Sequence, residues 1–240
     1  MSIAEKLTTI AENEQRVFEA GKKSEYDAFW DSYQQNGNRT NYCSAFGACW
    51  NKDNFKPKYS IRPTSAYYMF FNNIAACIDI GEVAEDYFDA LGIELDYSKA
   101  RLCQYAIAAL HAKRFKKLDF SSATRMMCLF FSHGNVITNS VEEIDEFVSS
   151  EITTYDNSTF QHATLLREIR FTGVIANGVI NFQWNTKLSK ASIESIINAL
   201  SPSSSGLTCT LSATAIDNNF TNDECVELFS TKLNWTISLV

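Results

Sequence analysis

Three short stretches read alike: FKKLDF at residues 115–120, VEEIDE at 141–146 and LREIRF at 166–171. Each places an apolar residue first and a second one three positions on, and each follows a histidine. His111 opens HAKRFKKLDF, His162 opens HATLLREIRF, and His133 opens HGNVITNSVEEIDE, which fits the same frame with four extra residues. An earlier partial copy, LDYSKA from Leu95, matches LDFSSA from Leu118. The anchors Leu95, Leu118, Ile144 and Ile169 then lie 23, 26 and 25 residues apart. That spacing is inside the range of about 20–29 residues of leucine-rich repeats, in which each coil contributes a strand and a turn or short helix. One coil cannot bury its apolar row alone, so neighbours must stack. The expected fold is a strand-rich, leucine-rich-repeat-like solenoid. One local conflict exists: Ser140 with Glu143 imitates a capping box, and Val141, Ile144, Phe147 and Val148 fit helical spacing. The register favours a strand there.

Working outward, residues 1–36 read as a helix opened by a Ser2/Glu5 capping box. Ile3, Leu7, Ile10 and Val17 line a possible oligomer face, and Asn36-Gly37 ends the pattern. Residues 37–94 form an aromatic-rich N-terminal cap and first coil. Pro57 and Pro63 bracket a possible edge strand at 58–62, and a helix at 82–91 is stopped by Gly92. Residues 95–187 hold the degenerate repeats. Residues 188–240 form an α/β C-terminal cap: a helix over 189–200, a strand at 207–211, a short helix capped by Thr221 and Glu224, and a strand at 235–240.

Composition limits the function. The chain has 240 residues, 45% hydrophobic, which is enough to bury a sizeable core. Its 28 acidic residues against 21 basic ones argue against a nucleic-acid surface. The start carries no apolar signal segment and no apolar run reaches membrane-spanning length, so neither secretion nor a membrane partner is expected. Seven widely spread cysteines read as buried thiols in a reduced compartment. No P-loop, dinucleotide fingerprint, HExxH or nucleophile elbow is present, and no catalytic residue, cofactor or metal is expected. His111, His133 and His162 recur in one repeat slot. Stacked rungs would permit a shared metal, but a polar turn residue bonding local backbone is the simpler reading. Asp96 and Asp119, each followed two residues on by a serine (Ser98, Ser121), close turns more readily than they bind calcium. Asp119, Glu142 and Glu143 read as a solvated face.

Several segments resemble a family. LDYSKA, LDFSSA, STFQHATLLREIRFTGVI (158–175), LSKASIESIINALS (188–201) and the ending GLTCTLS…NWTISLV are similar to BspA-like leucine-rich repeat proteins of gut bacteria and their phages. The opening 38 residues resemble the N-terminal segment attached to many of them. The family's Phe-x-x-Cys step is altered here, with Ala163 and Ala112 replacing the cysteine. The resemblance implies a right-handed solenoid that binds and has no active site. It also implies a virion-associated, tail-associated or cytoplasmic setting of the phage or prophage type. The expectation is a non-enzymatic binding or structural protein. It would contact a protein partner or host-surface glycan and form a homo-oligomer, or attach, through its N-terminal helix. The alternatives are a glycan-active enzyme, which needs two facing carboxylates about 5–10 Å apart, and an intracellular bacterial scaffold.

Overall fold

A computed structural model describes residues 57–67, 69, 78–108, 110–130 and 139–240. All of them belong to the compact unit Arg39–Val240. The expected helix at 1–36, with Ile3, Leu7, Ile10 and Val17, lies outside the described residues, as does His133.

In chain order the elements are β1 (Ala66–Tyr67), β2 (Ile78–Val83), α1 (Ala84–Ala90), β3 (Leu102–Gln104), β4 (Leu110–Phe115), β5 (Leu118–Phe120), β6 (Arg125–Met127) and β7 (Glu143–Ser149). There follow β8 (Thr154–Tyr155), β9 (Glu168–Phe171), β10 (Asn177–Gly178), β11 (Ile180–Phe182), α2 (Lys190–Ala199), β12 (Leu207–Leu211), α3 (Ala213–Asn219), α4 (Asn222–Ser230) and β13 (Trp235–Leu239). The strands make three sheets in which every named pairing is parallel: β1-β3-β6-β8-β10, β2-β4-β7-β5 with β9 also on β7, and β11-β12-β13. Parallel neighbours need crossover connections. Here α1 lies between β2 and β4, α2 between β11 and β12, and α3 with α4 between β12 and β13.

The architecture is therefore an α/β arrangement of parallel sheets. This corrects the expected strand-rich, right-handed, leucine-rich-repeat-like solenoid with a separate α/β cap. The physical reason lies in residues 102–127. One expected repeat length there holds four short strands, which divide between two sheets instead of contributing one strand to one ladder.

Register explains the rest. Ile144 and Ile169 are Cα partners, as the sequence alignment implied. Phe115, not Leu118, faces Ile144, while Leu118 faces Phe147. Both apolar positions of FKKLDF thus keep one offset of 29 residues to β7 across the interruption at Lys116 and Lys117. Leu95 forms an isolated bridge with Ile61, which is all that remains of the expected strand at 58–62. The 141–149 conflict resolves as strand β7, with Ile144, Phe147 and Ser149 buried. Ser140 caps no helix and instead donates its hydroxyl to the Ala112 carbonyl at 3.2 Å.

The core follows from this stacking. Tyr97, Phe120, Phe147, Phe160 and Phe182 form a continuous aromatic column with centroid steps of 5.1, 5.6, 5.4 and 4.5 Å. Such pairs add about 0.5–1.5 kcal/mol beyond their buried area. Buried polar side chains join successive passes of the chain. Asn139 donates to the Leu110 carbonyl at 3.2 Å, Thr153 to Ala123 at 2.7 Å, Thr159 to Met126 at 3.1 Å and Asn185 to Ala163 at 2.6 Å. Each saturates a carbonyl that burial would otherwise leave costly.

The second half matches its local signals. Ser189 caps α2 by accepting the Ser192 amide, and Thr221 with Glu224 forms a complete capping box on α4. Helix α2 also ends a sheet: Ser192 and Ser195 hydroxyls accept the Ile169 and Phe171 amides of β9 at 2.9 and 2.8 Å. A strand edge that would otherwise present free donors is thereby occupied.

Candidate functional site

The outer face of the β2-β4-β7-β9 sheet carries many charges, sorted by strand. Glu82 stands beside β4's Lys113 at 2.9 Å. Arg114 forks onto Asp145 of β7, with Nε–Oδ1 2.9 Å and Nη2–Oδ2 2.6 Å. Arg167 reaches Glu143 at 2.6 Å, and Arg170 donates to the Asp145 carbonyl at 3.0 Å. Each base on this face already has an acceptor. A hollow of about 770 Å³ between β9 and α2 is similarly committed. Ser192 and Ser195 hold β9 amides, and Glu168 accepts the Ser189 hydroxyl at 2.7 Å.

A smaller groove of about 340 Å³ differs. It is bounded by α1, by the segment 93–98 and by Phe115, Lys117 and Asp119 around the interruption between β4 and β5. The interruption has a clear cause. After β2 the chain turns into α1, so Lys116 and Lys117 lose a neighbouring strand. Glu85 takes the place of that strand, its two carboxylate oxygens accepting the Lys116 and Lys117 amides at 2.9 Å each. Helix α1 ends at Ala90; Leu91 caps it, Gly92 follows with a φ of +68° that favours glycine, and the chain returns over the gap.

The groove floor is apolar: Ala84, Phe88, Ile93, Tyr97 and Phe115 are buried. Tyr97 is fixed by donating its hydroxyl to the Ala106 carbonyl at 2.8 Å. The rim is acidic, with Glu85, Asp89, Glu94, Asp96 and Asp119 against Lys117 alone. Three of these acids have structural work. Glu85 holds the interruption, while Asp96 and Asp119 accept the Ser98 and Ser121 amides at 2.8 and 3.0 Å. These two serve as the turn-closing residues that the sequence suggested. Glu94 pairs with Arg62 at 2.5 Å. Lys117 lies 3.4 Å from Asp119 and 3.5 Å from Glu146. Asp89 is exposed; its carbonyl accepts the Gly92 amide at 2.9 Å, while its carboxylate has no hydrogen bond or close ion pair among the described residues and acts on the Lys116 ammonium only through its charge.

Asp119 sits below the usual carboxylate range. Partial burial pulls it upward, but the Ser121 hydroxyl and amide and the Lys117 ammonium outweigh that pull. A glycosidase-type general acid needs the opposite shift. Among the described residues no group of three or more His, Cys, Asp or Glu side chains is placed to hold a metal ion.

The sequence-derived positions lie elsewhere. Leu118, Ile144 and Ile169 are core residues of β5, β7 and β9. His111 is buried opposite Asp79, with no hydrogen-bond partner for its Nε2 among the described residues. Burial lowers its pKa, and the Asp79 charge opposes this only in part. His162 is partly buried, its pKa lowered by burial, and its carbonyl accepts the Asn139 amide at 3.1 Å. Cys103 and Cys209 are free, buried thiols, both pushed up to about 12 by burial.

The groove residues were not among those positions, yet a signal existed. Residues 78–98 contain seven carboxylates and no lysine or arginine. Among the described residues no helix is long and apolar enough to cross a membrane. Comparison with known proteins returns no matching family model, no matching curated protein and no matching solved structure.

Proposed function

We propose that this chain is a non-enzymatic recognition module that binds a protein partner through the groove between α1 and the β4–β5 interruption. One observation carries the reading: the bases of the sheet face each meet an acceptor, whereas the groove rims an apolar floor with five carboxylates and one ammonium, and one of those acids, Asp89, has no side-chain hydrogen bond or close ion pair among the described residues. Pockets that bind combine a largely apolar lining with a few placed polar groups, and this groove has that make-up. The resemblance of both chain ends to BspA-like proteins supports the same reading. It also suggests a virion or cytoplasmic setting, with residues 1–36 serving attachment or self-association.

The test is selection of a displayed random-peptide library on the full-length chain. The reading predicts enriched peptides that compete with one another and lose binding to an Asp89→Lys variant. Failure to enrich any peptide above an unrelated control protein would remove it.

A further inference from the structure

We infer that the groove takes the side chain of a lysine or arginine presented by an extended basic segment of the partner protein. This rests on the recognition reading above and names the chemistry recognised. Three features converge on it.

The first is charge. The lining sets five carboxylates against one ammonium, and the contributing stretch 78–98 has no basic residue of its own. Complementary potential sets partner choice and speeds encounter, so an anionic or nucleic-acid partner is disfavoured and a cationic one favoured.

The second is the floor. A metal ion would need converging oxygens, but Glu85 commits both of its oxygens and Asp96 and Asp119 one each to backbone amides around the rim, and the other Asp119 oxygen faces Lys117. Between them lie Phe88, Ile93 and Phe115. Lysine and arginine have both parts required: a methylene stem that lies along apolar surface and a charged head that stays at the wet edge.

The third is size. At about 340 Å³ the groove is at the small end of ligand pockets, which run from about 300 to 1,000 Å³. That suits one or two side chains better than a folded surface. Asp89 has no ion pair within 4 Å among the described residues; the nearby Lys116 ammonium is held by Asp86 at 2.6 Å, so Asp89 is the rim acid with a carboxylate left for the head group.

Capped pentapeptides Ala-Ala-X-Ala-Ala test this by chemical-shift titration of the full-length chain. X is lysine, arginine, norleucine (stem without charge) or diaminopropionate (charge with a short stem). Lysine and arginine peptides are expected to give saturable shifts at Phe88, Ile93 and Phe115. The other two should bind at least about fivefold more weakly, and Asp89→Lys should abolish the response while leaving the melting temperature unchanged. Equal binding of the norleucine peptide, or no saturable shift with lysine or arginine, overturns the inference. Library peptides that bind the groove without basic residues would overturn it while leaving the recognition reading intact. No binder of any kind would remove both.

Discussion

The outer face of the β2-β4-β7-β9 sheet and the groove beside α1 use the same residue types to opposite ends. On the sheet, acids of β2 and β7 alternate with bases of β4, with Arg170 of β9 and with Arg167 just before it, and each base meets an acceptor. In the groove the acids outnumber the bases and flank buried rings. A charge density that looks similar along the chain is thus a closed lattice in one place and, in the other, a rim with an excess of acid and one carboxylate, Asp89, without a close partner among the described residues. The proposed recognition is therefore assigned to the groove, because a matched face must break its own pairs before it can bind a charged partner.

The largest expected effect removes the scaffold common to both regions. Gly173 passes the end of β7, and a Cβ there would lie 2.0 Å from the Ser149 carbonyl oxygen. Gly173→Ala should cost on the order of 4 kcal/mol in denaturant unfolding, because backbone must move. A near-neutral result would mean that the chain passes are not so closely spaced.

Next comes the β9 edge. Ser192→Ala with Ser195→Ala leaves two amides without acceptors, at about 1–3 kcal/mol each. Groove binding should persist in that variant under native conditions, separating the covered edge from the site.

A smaller effect is set by pH. Burial lowers the pKa of His111 and of His162, so the folded state prefers both neutral. The unfolded chain takes up those protons near pH 6.5, hence stability is full above that value and falls as pH drops below it. The melting temperature measured from pH 7.5 to 5 should decline, and His111→Gln with His162→Gln should flatten the decline. An equally steep curve in the double variant would place the acid sensitivity elsewhere.

Smallest of all is the loss of one lattice pair. Arg114→Ala removes the fork onto Asp145 at an exposed site, so stability should fall only slightly and the difference should shrink in high salt.

Much of this fold was legible in local chemistry. The Ser189 cap, the Thr221/Glu224 box, the stop at Gly92 and the alternation of residues 207–211 each depend on neighbours within a few positions, and each formed. The Asp96 and Asp119 turns were readable for the same reason. Sheet membership was not. Strands of two or three residues, such as β1, β6 and β8, carry no usable period. In FKKLDF, Phe115 and Leu118 are both apolar, so either could serve as the anchor. Only the pairing with β7 separates them. Asn139, Thr159 and Asn185 resemble loop residues in sequence and are buried links between passes in the structure. The groove was hidden in the same way. Seven acids with no basic residue among them were visible in 78–98, but nothing local says that α1 and residues 93–98 bring several of them around Phe115.

The most direct measurement compares two charge reversals side by side: Asp89→Lys in the groove and Arg114→Glu on the sheet. Each is titrated with the lysine pentapeptide at one salt concentration. Binding should weaken by at least about tenfold in the first and stay within about twofold of the parent in the second. Loss of binding in Arg114→Glu, with Asp89→Lys unaffected, would contradict the assignment of recognition to the groove.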